Sequence, residues 1–172
     1  MRAPHHLTLR LVLALSLPVA IAACAPPPIY KTTGPSSVVA TPEQVATSPG
    51  NFRNLEVVWG GQVISVHNFA DHSEVEILAY PLDSSQRPIL KDPATGRFIA
   101  IVPGFVEPMN YPPGSLVTLR GTLDGSRRGE VGQAGYTFAL VHSDAMHRWT
   151  PQEMREGHPN ISIGVGVGGW IR

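Results

Sequence analysis

Between Leu55 and Leu140 apolar residues recur at alternate positions in five short runs, with glycine or proline punctuating the intervals. A period of two places side chains on one face of a β-strand and cannot form the apolar stripe of a helix. This feature confines the chain to an all-β fold. Leu55, Val57 and Trp59 share one face of the first run; Val63, Ile64 and Val66 follow Gly60-Gly61, where the phase is expected to slip as at a β-bulge or sharp coil. Asp71-His72-Ser73 reads as a turn. Val75, Ile77 and Ala79 mark a second strand, closed by Pro81. Asp83 to Gly96, with Pro88 and Pro93, reads as a long loop. Arg97 to Val102 is a third strand, followed by an irregular connection rich in proline (Pro103, Pro108, Pro112, Pro113). Val117, Leu119, Gly121 and Leu123 alternate in a fourth strand. Asp124 to Gly135 reads as a polar turn region, and Tyr136, Phe138 and Leu140 make a fifth strand.

Five strands without a long amphipathic helix predict a small five-stranded antiparallel barrel, OB-like in its glycine-bent first strand, with a small sandwich as the alternative. Trp59, inside an alternating strand, is expected in the core.

The other end of the chain speaks of export. Arg2 and Arg10 flank an apolar run from Leu11 to Ala22, broken only by Ser16 and Pro18. A bilayer span needs roughly 20 such residues, so a run of about a dozen suits the core of a signal peptide. Ile21-Ala22-Ala23-Cys24 resembles a bacterial lipobox, with Ile in the place where Leu is commoner. The resemblance implies that Cys24, the sole cysteine, is lipidated and begins the mature chain. The alternatives are an ordinary secreted protein cut near Ala23, or a cysteine buried as a small hydrophobe. Ala25 follows the cysteine, where an Asp would imply inner-membrane retention; the expected address is the outer membrane, lipid-anchored and facing the periplasm. A lone cysteine makes no intramolecular disulfide and no cysteine metal site.

Residues 1–23 are thus expected to be a signal peptide, 24–50 a Pro/Ser/Thr-rich tether, 51–149 the barrel domain, and 150–172 a short helix and Gly-rich tail. The tether holds few large apolar residues, and Pro26, Pro27 and Pro28 favour an extended spacer that would lift the barrel off the bilayer. Thr41-Pro42-Glu43-Gln44 reads as a capped helix start within it, stopped by Pro49-Gly50. Thr150-Pro151-Gln152-Glu153 is a second capping box, with Gly157 as the stop. In the tail, Ile161, Ile163, Val165 and Val167 alternate with Ser162 and glycines, as an extra strand or a flexible end. The mature chain has 11 basic and 13 acidic residues, a net charge of −2, too weak a field to hold nucleic acid.

Several of these stretches in order, "VVWGGQVISVHN", "YPLDSSQRP", "GRFIAIVPGFVEPMNYPPGSLVTLRGTLDG" and "GEVGQAGYTFALV", resemble the Slp family of outer-membrane lipoproteins, named for starvation induction. The resemblance spans about Pro42 to Trp149. It implies a lipid-anchored protein of the outer membrane and brings no catalytic residues.

No residue set reads as catalytic, and no cofactor is expected. His67, His72, His142 and His147 are weak metal-ligand candidates, on the idea that strands one and five lie close; scattered surface histidines are the plainer reading, as for His158. Glu74 and Glu76 share a strand face, which suits acid–base chemistry but fits a solvated outer face better. Arg127-Arg128 could touch anionic headgroups. Ser84 and Ser85 lack a nucleophile elbow. Tyr80, Phe98 and Phe105 occupy the region that stacks bases in OB barrels, but an exported protein with little positive charge is not expected to bind nucleic acid. The expected partners are the membrane, through lipid on Cys24, and envelope proteins or glycans; the alternative is a binding module for a small ligand, glycan or metal.

Overall fold

The computed structural model describes residues 27–32 and 38–155; Cys24, Gly157, His158, Trp170 and the tail 161–167 lie outside them. Five strands form: β1 (Glu56–Asn68), β2 (His72–Tyr80), β3 (Gly96–Pro103), β4 (Leu116–Val131) and β5 (Ala134–Arg148). Short helices α1 (Pro42–Thr47) and α2 (Pro151–Arg155) precede and follow them. The strands close into a barrel in the order β1-β2-β3-β5-β4, with β4 returning to β1, which settles barrel against sandwich. The expected antiparallel sheet is corrected at one seam: β3 and β5 run parallel, Phe98 opposite Ala139 through Ile101 opposite His142. The reason is connectivity. Chain leaving β3 crosses to pair β4 with β1, so the hairpin partner of β4 returns beside β3 in the direction of β3 itself.

Side chains fill the interior. Trp59 packs edge-on to Phe98, centroids 5.1 Å apart, among Ile77, Leu119, Leu123 and the valines of all strands but β3. Each such buried side chain contributes roughly 1.5–3 kcal/mol. Val57, Trp59 and Val63 all point inward, so the phase does not slip at Gly60-Gly61; the register shifts later, between Val63 and Ser65. The glycines serve close approach instead. A Cβ on Gly61 would run into the Leu78 carbonyl, and one on Gly60 would lie 2.7 Å from Thr118 Oγ1.

The polar stretch after Asp124 is not a turn region. β4 continues to Val131 and β5 starts at Ala134, so only Gly132-Gln133 turn, with Gly132 at a φ of 62°. Pairing across the hairpin satisfies the backbone whatever the side chains are, which is why alternation failed to signal it.

The expected tether is corrected from Val38 onward. The Val38 amide donates to the Glu56 carbonyl (3.0 Å), and Trp59 Nε1 donates to the Ala40 carbonyl (2.7 Å). Thr41 and Gln44 form the capping box, and α1 inserts Val45 into the core with no exposure. Few apolar residues are needed when one of them fills the end of a barrel. α1 packs on β3, β4 and β5, and Pro42 and Glu43 lie against Gly96 at the start of β3. Farther upstream, the Tyr30 amide donates to Gln86 Oε1 and its carbonyl accepts from Gln86 Nε2, both at 2.8 Å.

The long loop after β2 is folded onto the barrel. Asp83 accepts from the amides of Ser85 (2.8 Å) and Arg87 (2.9 Å) and pairs with the buried Arg87 guanidinium (2.9 Å). Thr118 Oγ1 donates to the Gln86 carbonyl (2.6 Å) and accepts from Trp149 Nε1 (2.9 Å), so Trp149 is buried outside the barrel, under this loop. The Thr150–Glu153 capping box then starts α2.

Candidate interaction surface

The four candidate histidines are not brought together. β5 lies between β3 and β4, and β1 between β2 and β4, so strands one and five are not neighbours. His67 is exposed on β1 opposite Glu74. His72 Nδ1 lies 2.7 Å from Asp71 Oδ1, which raises its pKa, with Glu74 at 3.6 Å on the other ring nitrogen. His142 pairs with Asp124 (3.0 Å), and His147 stands edge-on to Trp149 near Glu153. Among the described residues no three His, Cys, Asp or Glu side chains converge as a metal site.

The outer face of β2 and β3 is covered by the chain itself. Arg127, on the β4–β5 hairpin, grips Glu74 with two bonds of 2.7 and 2.6 Å, and Arg97 binds Glu76 at 2.6 Å. The same hairpin touches β3 at Arg97 through Tyr136 and β2 at Glu74 through Arg127, so it lies back across β3. The guanidinium holds the Glu74 carboxyl below the usual glutamate range. The Tyr136 hydroxyl accepts from the Arg97 amide (2.9 Å), and Ile99 and Phe138 are buried there, outside the core cluster. Arg127 is therefore committed to a fold contact. Of the three candidate stacking aromatics, Phe98 lies wholly within the core, Tyr80 is half-buried, and only Phe105 is exposed.

The end of the barrel opposite α1 is different. There the tip of the β1–β2 hairpin meets the loop after β3. Phe69 is 54% exposed, Phe105 69% and Met109 83%. The backbone beneath them is pinned. The buried Ser73 hydroxyl donates to the Gly104 carbonyl (2.7 Å) and accepts from the Val106 amide (2.9 Å). Asn68 lies against that hydroxyl, and its Nδ2 donates to the Val106 carbonyl (3.1 Å). The Gly104 amide donates to the Asp71 carbonyl (3.1 Å), and Phe69 stacks on His72 at 4.8 Å. Phe69 and Phe105 are thus held outward on an ordered frame, and Met109 follows on the short turn whose start the Glu107 side chain caps (3.3 Å). Sequence reading missed this surface, although an apolar Phe69 within the polar turn "HNFADHS" was a visible sign.

On the barrel flank, the Arg120 guanidinium sits 5.9 Å above the Tyr30 ring and pairs with Asp144 (2.8 Å). Burial raises the Tyr30 hydroxyl pKa; Arg120 opposes this, while Asp144 and Tyr111 add to it.

The profile of the outer membrane lipoprotein Slp family matches residues 21–167. The chain is 34% identical over 136 residues to the uncharacterized lipoprotein YeaY of Escherichia coli K12, covering 76% of this chain and 70% of that one. It is 31% identical over 143 residues to the outer membrane protein Slp of the same organism, covering 83% and 76%. Among solved structures, a small single-stranded DNA-binding protein from Streptomyces coelicolor aligns over 58% of this chain and 98% of its own, at 14% identity and a TM-score of 0.35. Pot1pC of Schizosaccharomyces pombe, solved with single-stranded DNA, aligns over 72% of this chain and 90% of its own, at 12% identity and a TM-score of 0.29. Likeness that remote carries no argument about ligands.

Proposed function

The chain belongs to the Slp family of outer membrane lipoproteins, and on that premise we propose that Cys24 carries the lipid and that the barrel is a structural and interaction module facing the periplasm. Lipid anchoring in the outer membrane comes with the family. The family match begins at Ile21, the first residue of the lipobox-like tetrapeptide, which supports Cys24 as the modified residue. The observation that carries the interaction role is the filled barrel interior: a solid block offers partners its surfaces, not a central cavity. The role is non-enzymatic. Glu74 and Glu76, the acid–base candidates, are engaged by Arg127 and Arg97.

A groove of about 440 Å³ between the N-terminal segment and the β1–β2 side, lined in part by Val38, Trp59, Tyr80 and Leu82, favours a second reading, a binder of a small apolar ligand. A rise in melting temperature with such ligands, absent in a variant with the groove filled, would select it.

The main reading is tested by fractionation with a metabolically incorporated fatty-acid analogue. Wild-type protein should take up label and sediment with outer membranes; Cys24→Ser should take up none. Unlabelled, soluble wild-type protein would overturn it.

A further inference from the structure

We propose that the barrel end bearing Phe69, Phe105 and Met109 seats on the lipid surface of the leaflet that holds the acyl chains of Cys24. The inference rests on the assignment of the lipid to Cys24. It starts from reach. Tyr30 is bound to Gln86 through both its backbone amide and its carbonyl, so the chain is already on the barrel six residues after Cys24. An extended chain covers at most about 3.6 Å per residue, which keeps Cys24 within about 22 Å of Tyr30 and about 11 Å of Pro27. Any lift that the spacer gives the barrel is limited to that reach, so the domain stays close to the leaflet.

The exposed apolar side chains select the face: Phe69 and Phe105 stand on loops joined by the Gly104–Asp71 hydrogen bond, and Met109 follows on the same loop as Phe105. From Tyr30 the chain passes Thr32 and reaches Val38 beside Glu56, at the α1 end of β1. Ile29, Val39 and Leu90, also exposed, belong to three other segments of the chain.

The chemistry fits a bilayer interface. Phenylalanine and methionine bury well among acyl chains and headgroups, and the Asn68–Ser73 frame presents them without an ordering cost on binding. The charged residues on the same loops are Asp71 and Glu107, with His72 paired to Asp71. Contact should thus rest on apolar insertion and not on attraction to anionic lipid.

The test uses full-length lipidated protein in vesicles of phosphatidylethanolamine and phosphatidylglycerol. Since Cys24 is the sole cysteine, single cysteines can be introduced as Phe69→Cys, Phe105→Cys and Met109→Cys, with Arg128→Cys on the hairpin as control, and tagged with an environment-sensitive fluorophore. A melting temperature equal to wild type qualifies each variant. Lipid-borne spin labels should quench the three end positions at least twofold more than position 128, equally in 0.1 and 1 M salt. Soluble iodide should show the reverse order. Equal lipid quenching at all four positions, in protein that has taken up fatty-acid label, overturns the proposal and leaves the lipidation reading intact. Wild-type protein that takes up no label overturns the lipidation reading itself. Iodide protection that grows with protein concentration in the absence of vesicles assigns the surface to a second copy and also overturns the proposal.

Discussion

The two ends of the barrel treat apolar side chains in opposite ways. At one end the chain supplies its own lid: a capped helix of six residues drops Val45 into the core, and Trp59 reaches out to hold the incoming backbone at Ala40. At the other end, equally apolar Phe69, Phe105 and Met109 stay uncovered by the chain. Hydropathy does not distinguish Val45 from Phe105. What differs is the use of the polar groups. The Thr41–Gln44 box satisfies the start of a helix that points inward, whereas Asn68 and Ser73 satisfy a loop that points its side chains out. The lesson is that an exposed apolar end on a fully hydrogen-bonded frame is a built surface, not a core left unfinished.

The largest effect should come from breaking the closed end. Val45→Asp puts an unpaired carboxylate into the core and should destabilise the domain by about 3 kcal/mol or more, read by urea denaturation. A loss under about 1 kcal/mol would mean the lid is dispensable. Next, Ser73→Ala removes the hydroxyl shared by Gly104 and Val106 and should cost about 1–3 kcal/mol, with faster amide exchange at Val106. Unchanged exchange there would show that the open end is not held by this frame.

A smaller effect is expected at the hairpin clamp on the barrel flank. Arg127 lowers the pKa of Glu74, so the stabilisation is fully present above the ordinary glutamate value of 4.5 and is lost as pH falls below it, through the lowered folded value. The difference in melting temperature between wild type and Glu74→Gln should therefore shrink as pH drops below 4.5, and shrink also on the alkaline side as His72, which Glu74 faces at 3.6 Å, loses its proton. His72 acts in the opposite sense. Its raised pKa gives stabilisation present below its ordinary value of 6.5 and lost as pH rises through the folded value. The smallest effect belongs to the open end itself: Phe105→Asp should alter stability by less than about 0.5 kcal/mol in detergent-free solution, where most of the residue faces water. A large loss would make the open end part of the core and erase the contrast.

Local features were legible without coordinates. The five strands follow from alternation, because burial of one face needs only neighbours along the chain to agree. The helix starts at Thr41 and Thr150 follow from side chains three residues apart, a spacing that acts within one turn. Family membership likewise follows from ordered motifs. Tertiary structure alone decided which strands became neighbours. Barrel closure, not any local signal, made β3 and β5 parallel and carried Arg127 to Glu74 across 53 positions of sequence. It turned a polar stretch into paired strands, since backbone hydrogen bonds there do not depend on hydropathy. It also drew Val45 inward and left Phe105 outside. Whether an apolar side chain is buried depends on what else the fold brings to that place.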